Sequence, residues 1–144
     1  MIIVLKLMAT VAAGLFSGAS IYINLVEHPA RMECGVAAAV AQLPEGGLMQ
    51  ASLAVAGLLS GTSAWILGRE LAWLTRGILL GLVIPFTLIV ILPTNRKLLD
   101  PTLNKESPEA RELLDRWGRY HGVRSVLSFS SFLVFVSALN GSFH

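Results

Sequence analysis

The sequence predicts an all-α fold: a polytopic membrane protein in which four transmembrane helices form one bundle. Its composition, its long uncharged windows and the lack of strand-like alternation support this. Hydrophobic residues make up 54% of the 144 residues, charged residues 14%, and the mean hydropathy is +0.68. A soluble domain carries roughly a quarter charged residues. We therefore expect residues 1–144 to form a single transmembrane domain.

Four windows contain no Asp, Glu, Lys or Arg, and each has 19 to 23 residues. A helix needs roughly 20 residues to cross a hydrocarbon core about 30 Å thick. The windows lack the period-two alternation of barrel strands, so helices are favoured. The windows are Leu7–Val26, Gly46–Gly68, Gly77–Asn95 and Ser125–His144. The predicted spans are about 5–27, 47–68, 74–94 and 122–141.

The first apolar run has a second interpretation, a cleaved signal peptide, because small residues at Gly18 and Ser20 resemble a cleavage site. We reject it for two reasons. Lys6 follows the start of the apolar run instead of preceding it, and the run continues to Val26, beyond the usual length of a signal-peptide core. The first window is therefore predicted to be a span.

The basic residues predict the orientation in the membrane. With four spans, loops one and three lie on one side, and that side carries eight Lys and Arg residues against three on the other. By the positive-inside rule, loops one and three face the cytoplasm. The sequence does not identify which membrane this is. A formal net charge of +2 without a basic stripe predicts no nucleic-acid partner.

Loop three contains a predicted interfacial helix that leads into the fourth span. Ser107 is a suitable N-cap, and Pro108 is a suitable first helical residue. Leu113, Leu114 and Trp117 then form an apolar face, with charged side chains opposite. The glycines expected at the junction with the span are Gly118 and Gly122.

Small residues recur four positions apart in three spans. Such pairs let helices approach closely in lipid. Tight packing within one bundle is the favoured interpretation, and a homo-oligomer packed through one of these faces is the alternative. Pro85 is expected to kink the third span. The pairs are Gly14 and Gly18, Gly57 and Gly61, and Gly77 and Gly81.

Polar residues cluster at the ends of three predicted spans. Positions i, i+4 and i+7 share one face of a regular helix, and this spacing occurs at the end of the first span and at the start of the fourth. Asn95 ends the third. Each group alone is typical of a helix anchored at headgroups, but the topology brings all three to one side, which is typical of a pocket. The two motifs are Asn24, His28 and Arg31, and Trp117, His121 and Arg124.

The residue types in this cluster argue against a metal or haem. His28, His121 and Glu27 are the available ligands, but nearby arginines oppose a cation and the spacing matches no zinc or di-iron pattern. The single cysteine, Cys34, excludes a Cys-x-x-Cys redox pair. We expect no metal and no cofactor.

The histidines and arginines of the cluster suit acid–base chemistry. A neutral imidazole near pH 7 is a good general base, and a nearby guanidinium stabilises the anion that it creates. The cluster therefore suits deprotonation of a weakly acidic, apolar molecule taken from the membrane lipid. We expect Trp117 and Tyr120 to stack on its ring system, with Asn24 and Glu27 as further substrate-binding residues.

Three stretches resemble the anthrone-oxygenase-like family of small four-helix membrane proteins: "EHPARM", "LPTNRKLLD" and "WGRYHGVRS". They occur in the family's order, and the resemblance covers nearly the whole chain. The resemblance implies oxidation of an anthrone to an anthraquinone by O2 without an obvious cofactor. The positions that match the family's motifs are His28, Arg31, Asn95, Trp117, His121 and Arg124.

Two functions follow as alternatives. In the first, which the resemblance implies, His28 or His121 removes a proton from an apolar phenolic or anthrone-like molecule. Arg31 and Arg124 then hold the enolate, and Asn95 orients the oxygen while O2 reacts. In the second, the chain is a non-catalytic membrane protein that binds lipid or a protein partner, and His28 and His121 cap helices. The basic residues that would then meet anionic headgroups are Arg111, Arg116, Arg119 and Arg124.

Overall fold

The computed structural model describes residues 1–43 and 47–141. Gly46, in the second uncharged window, and residues 142–144, in the fourth, lie outside these ranges. All regular structure described is helical, and π-helical turns at Ile23–Glu27 and Thr87–Ile91 interrupt two of the spans. In chain order the α-helices are α1 (Ile2–Tyr22), α2 (His28–Glu33), α3 (Val36–Ala41), α4 (Gly47–Gly68), α5 (Leu71–Gly81), α6 (Val83–Phe86), α7 (Leu92–Leu98) and α8 (Pro108–Gly141).

Four helical stretches among the described residues are long and apolar enough to cross a membrane, which confirms the predicted fold class. The first, third and fourth extend beyond the predicted spans because the polar residues at their ends continue the helices, whereas the second lies within its predicted span. The first stretch runs on to Glu33, and the fourth begins at Pro108. The stretches are Ile2–Glu33, Met49–Gly68, Leu71–Leu98 and Pro108–Leu139.

The predicted interfacial helix is continuous with the fourth span. Helix α8 has 34 residues, about 51 Å at 1.5 Å per residue, which exceeds a hydrocarbon core of about 30 Å. The Ser107 hydroxyl accepts a 3.1 Å hydrogen bond from the Ala110 N–H and so caps the helix start. Gly118 and Gly122 lie inside the unbroken helix. The apolar residues expected on its inner face are buried: Leu113, Leu114 and Trp117.

The spans form a ring in which α1 packs against α4 and α8, and α5 packs against the same two helices. Helices α4 and α8 therefore occupy opposite corners. The interior core contains Phe16, Trp73 and Phe135. Large apolar side chains such as Leu25 and Ile89 point outward, as expected for a surface that faces lipid.

Loop one contains a short helix that the sequence analysis did not predict. Helix α3 begins after Gly35, whose φ of 93° lies in the left-handed region that favours glycine. Ala39 and Val40 are buried in a second apolar cluster together with Leu98 and Leu114. This cluster closes the end of the bundle that carries loops one and three.

Most of the paired glycines face the chain's own helices. A Cβ added at Gly61 would lie 3.0 Å from the Trp73 carbonyl oxygen and 3.1 Å from the Gly77 Cα. A Cβ at Gly57 would overlap Leu80, whereas a Cβ at Gly18 would meet nothing within 4 Å. Close packing within the bundle therefore uses these faces. Assembly of two copies through them stays a prediction.

Gly61→Ala should destabilise the protein by about 1–3 kcal/mol, because the new methyl group meets backbone atoms that cannot move aside. Gly18→Ala should instead raise stability by about 0.4–1 kcal/mol, since alanine restricts the unfolded chain and the site is open. Thermal unfolding in detergent measures both. Equal effects of the two substitutions would contradict the close approach of α4 and α5.

An ion pair fastens the opposite end of the bundle. Lys6 of α1 donates to Glu70 at 2.7 Å, and the Trp73 indole N–H donates to the same carboxylate at 3.1 Å. Arg76 donates to the Val134 carbonyl of α8 at 2.9 Å. The hydrogen bond from Lys6 is the main cause that holds the pKa of Glu70 below its usual value. These contacts join α1, α5 and α8.

The lowered pKa of Glu70 predicts acid sensitivity. The charged carboxylate contributes its full stability above the unfolded-state pKa of about 4.3 and loses it as the pH falls through the lower folded-state pKa. The melting temperature should fall on acidification from pH 6 to pH 3.5, and Glu70→Gln should have a lower value at pH 6 with a flatter acid limb. Glu106→Gln, at an exposed carboxylate without an ion pair among the described residues, is the control. An unchanged acid limb in Glu70→Gln would disprove the assignment.

Candidate functional site

A cavity of about 150 Å³ lies inside the bundle at the end that carries loops one and three. Phe16, Ala54, Val83 and Ile84 supply apolar wall from three spans. The polar and ionisable side chains that line it come from all four spans: Arg31, Gln50, Thr87, Asn95, His121 and Arg124. Trp117 also borders it.

Two π-helical turns lead into the wall of this cavity, and each ends two residues before a proline. Ile23–Glu27 precedes Pro29, and Thr87–Ile91 precedes Pro93. Proline has no N–H and clashes with the carbonyl four residues earlier, and a wider turn accommodates both effects. The third span is also interrupted at Leu82, three residues before the proline expected to kink it. The turns set the directions of the residues that follow.

His121 and Arg124 form a buried pair on α8. The guanidinium Nη2 of Arg124 lies 2.9 Å from Nδ1 of His121. Because a guanidinium only donates, Nδ1 accepts, and the neutral imidazole carries its proton on Nε2. Arg124 is 5% exposed and has no carboxylate within ion-pair distance in the part of the chain that the structure describes. The pair thus places an uncompensated positive charge at the cavity.

Trp117 lies between the two histidines. Its ring stacks on His121 at a centroid distance of 3.7 Å, and His28 packs on it at 5.4 Å. The centroids of the two imidazoles are therefore separated by less than the sum of these two distances. This is below the roughly 10 Å within which two groups can act at one site through a water molecule. Nε1 of Trp117 and Nδ1 of His28 are buried without a hydrogen-bond partner. His28 is not part of the cavity wall and contacts the site through the indole.

Arg31 lines the cavity, but its charge is compensated. It donates to Glu27 at 2.6 Å and to the Gln42 side chain at 3.0 Å. The Oδ1 atom of Asn95, in contrast, is buried without a partner. Among the predicted binding groups, Asn95 is therefore available to a ligand, whereas Arg31 is held by its neighbours.

Three predicted substrate-binding residues lie outside the cavity wall: Asn24, Glu27 and Tyr120. Asn24, in the first π-helical turn, donates to the Ser125 hydroxyl of α8 at 2.7 Å and connects the first span to the fourth. Glu27 pairs with Arg31, and Tyr120 packs against the second apolar cluster. The π-helical turn after Tyr22 changes the regular spacing from which the shared face of Asn24 and His28 was predicted.

Sequence reasoning missed Gln50 and Thr87. Gln50 is buried and lines the cavity from α4, and Thr87 begins the second π-helical turn. The signal for Gln50 was present, because it is the one amide side chain in the second uncharged window, and amides inside spans are costly unless they are bonded. In the described ranges no group of three or more His, Cys, Asp or Glu could hold a metal ion.

The fold and the site define a multi-pass helical membrane protein with a cavity inside the bundle, whose mostly apolar wall carries polar side chains from all four spans. The chain belongs to the anthrone oxygenase family, because the family's sequence model matches residues 35–134, more than half of the chain. No curated protein and no solved structure matches it. The matched region contains "LPTNRKLLD" and "WGRYHGVRS" but begins after "EHPARM".

Gly118→Ala should destabilise the protein by about 1–3 kcal/mol, since a Cβ there would overlap the imidazole of His28. Gly122→Ala, one turn later with open space around it, should be neutral or stabilising. Thermal unfolding of the single variants and of Gly118→Ala combined with His28→Ala gives the coupling between the two sites. Simple additivity of the two substitutions would contradict the predicted contact.

Proposed function

We propose that this protein is a membrane oxygenase that takes an apolar phenolic or anthrone-like molecule from the bilayer, stabilises its anion in the cavity and lets it react with O2. The main support for this proposal is the environment of Arg124. It is buried, borders the cavity and lacks a carboxylate partner among the described residues. A buried cation without a counter-ion is costly. A phenolate or enolate bound beside it would remove that cost.

Two unpartnered N–H groups support an oxygen anion as the ligand. Nε of Arg124 and Nε1 of Trp117 are both buried without an acceptor, and both residues border the cavity. Donors arranged in advance around a developing oxygen anion are an effective source of transition-state stabilisation. In our proposal they bind the acidic oxygen of the substrate, and Oδ1 of Asn95 accepts from a hydroxyl group.

His121 is the base in this proposal. Its Nδ1 accepts from Arg124, so that lone pair is occupied. When the substrate oxygen accepts from Arg124 instead, the lone pair of Nδ1 becomes free and takes the substrate's proton. His121 borders the cavity, whereas His28 contacts the indole of Trp117. His28 therefore acts as a positioning residue.

The proposed reaction balances without a further reagent. The carbanion form of the substrate gives an electron pair to O2 and forms a carbon–oxygen bond, which produces a peroxide after protonation. Loss of water from the peroxide leaves a carbonyl group. A CH2 group and O2 are thus converted to a C=O group and water.

A non-catalytic, lipid-binding role is the second candidate. Arg111, Arg116 and Arg119 are exposed on the loop-three end of α8, where they suit anionic headgroups. Charge reversal at these positions would disturb that role but not catalysis in the cavity. The two candidates therefore depend on different arginines.

Arg124→Met should lower kcat/KM for oxidation of a simple anthrone by about 10- to 100-fold, because it removes a charge-assisted hydrogen bond to the developing anion. Oxygen uptake and quinone absorbance by detergent-purified protein, under air and with a chelator, provide the measurement. His121→Ala should also lose turnover.

Arg116→Met is the matched control, since Arg116 is exposed and pairs with Glu112 at 3.0 Å. It should behave as the parent protein, and melting temperatures must show that all variants are folded. Full turnover in folded Arg124→Met, or a parent rate no higher than the autoxidation of anthrone, would refute the proposed function.

A further inference from the structure

Gln50 is a buried polar residue of the cavity that the mechanism above does not use. It is 4% exposed and lines the cavity from α4. Its side-chain amide makes no hydrogen bond to any residue that the structure describes. An amide carries two donors and an acceptor, and the amide atoms of Gln50 are not among the fully buried polar atoms without a partner, so they are accessible from the cavity. The amide is therefore free to bind a ligand within the cavity.

The position of Gln50 is complementary to that of Arg124. Gln50 lies on α4 and Arg124 on α8, and these helices occupy opposite corners of the ring. Both side chains line the same cavity. Its volume of about 150 Å³ is sufficient for at least one ring of an aromatic substrate. An aromatic ring in the cavity would therefore lie between the two helices.

We propose that Gln50 binds a second oxygen substituent of the aromatic substrate, while Arg124 binds the acidic oxygen. The substrate class is then an aromatic molecule with two oxygen functions directed toward different helices. The assignment rests on the proposed function for the identity of the acidic oxygen. The assignment itself concerns only ligand binding by Gln50, which can be measured without turnover.

Two ligands of similar shape test this assignment. The first is 4-hydroxyacetophenone, which has a phenol and a ketone, and the second is 4-isopropylphenol, which lacks the second oxygen. Binding to detergent-purified protein is measured under argon by equilibrium dialysis, with protein-free micelles as the blank. The parent protein and Gln50→Met are compared, and Gln50→Leu is used if the methionine variant does not fold.

Gln50→Met should weaken binding of 4-hydroxyacetophenone by about 2- to 10-fold, the value of one neutral hydrogen bond. Binding of 4-isopropylphenol should stay the same or become tighter. Met49→Leu, at the neighbouring outward-facing side chain, should change neither affinity. These results together would support the assignment.

An equal change for both ligands, or no change for either, would overturn the assignment, because Gln50 would then act only in packing or bind only water. The result is separable from the oxygenase proposal, since no oxidation occurs under argon. A ketone preference that depends on Gln50 in a protein that does not oxidise anthrone would refute the proposed function and leave the binding site intact.

Discussion

The positive charge of Arg124 inside an apolar bundle is the constraint around which the site is arranged. Hydrocarbon and a packed core offer no water to solvate a guanidinium, so its neighbours must supply acceptors and polarizable surface. His121 accepts one N–H, and the ring of Phe16 lies 5.6 Å from the guanidinium carbon. Neither neighbour carries a negative charge. The charge is therefore tolerated but not neutralised, and an anionic ligand is favoured over a cation or a neutral hydrocarbon.

The two arginines that line the cavity differ in this respect, although both were predicted to hold the same anion. Arg31 has Glu27 and Gln42 as partners and is partly exposed near the end of its span. Arg124 is more buried, and the contacts of its guanidinium with described residues are to an imidazole nitrogen and an aromatic ring. The strength of an electrostatic interaction rises as water is excluded. Arg124 should therefore dominate the interaction with an anion, and Arg31 mainly closes the wall.

The sequence predicted the helices and the end of the bundle where polar groups meet, because both depend on local composition. The uncharged windows predict the spans, and the four-span topology places the end of the first, the end of the third and the start of the fourth on the same side of the membrane. Which of the side chains enter the cavity depends on contacts between distant segments. Asn24 bonds to Ser125, and His28 packs behind Trp117. Regular helical spacing cannot anticipate this, because the turn Ile23–Glu27 is π-helical. Gln50 was missed for a related reason: the sequence shows one amide in a span but not whether that side chain faces a cavity, a neighbouring helix or lipid.

The four spans contribute differently to the site, because the polar residues that line the cavity are unevenly distributed among them. Gln50, Asn95, Trp117, His121 and Arg124 all fall within residues 35–134, the region that matches the family. The first span contributes Phe16, Ile23 and the compensated Arg31 to the cavity wall. It also supplies His28, which fixes the far face of the indole. Among the described residues, the unpartnered donors and acceptors that line the cavity are thus on the last three spans, while the first closes the cavity and holds Trp117 in place. The chemistry of the site should accordingly be most sensitive to the last three spans, and its rigidity to the first.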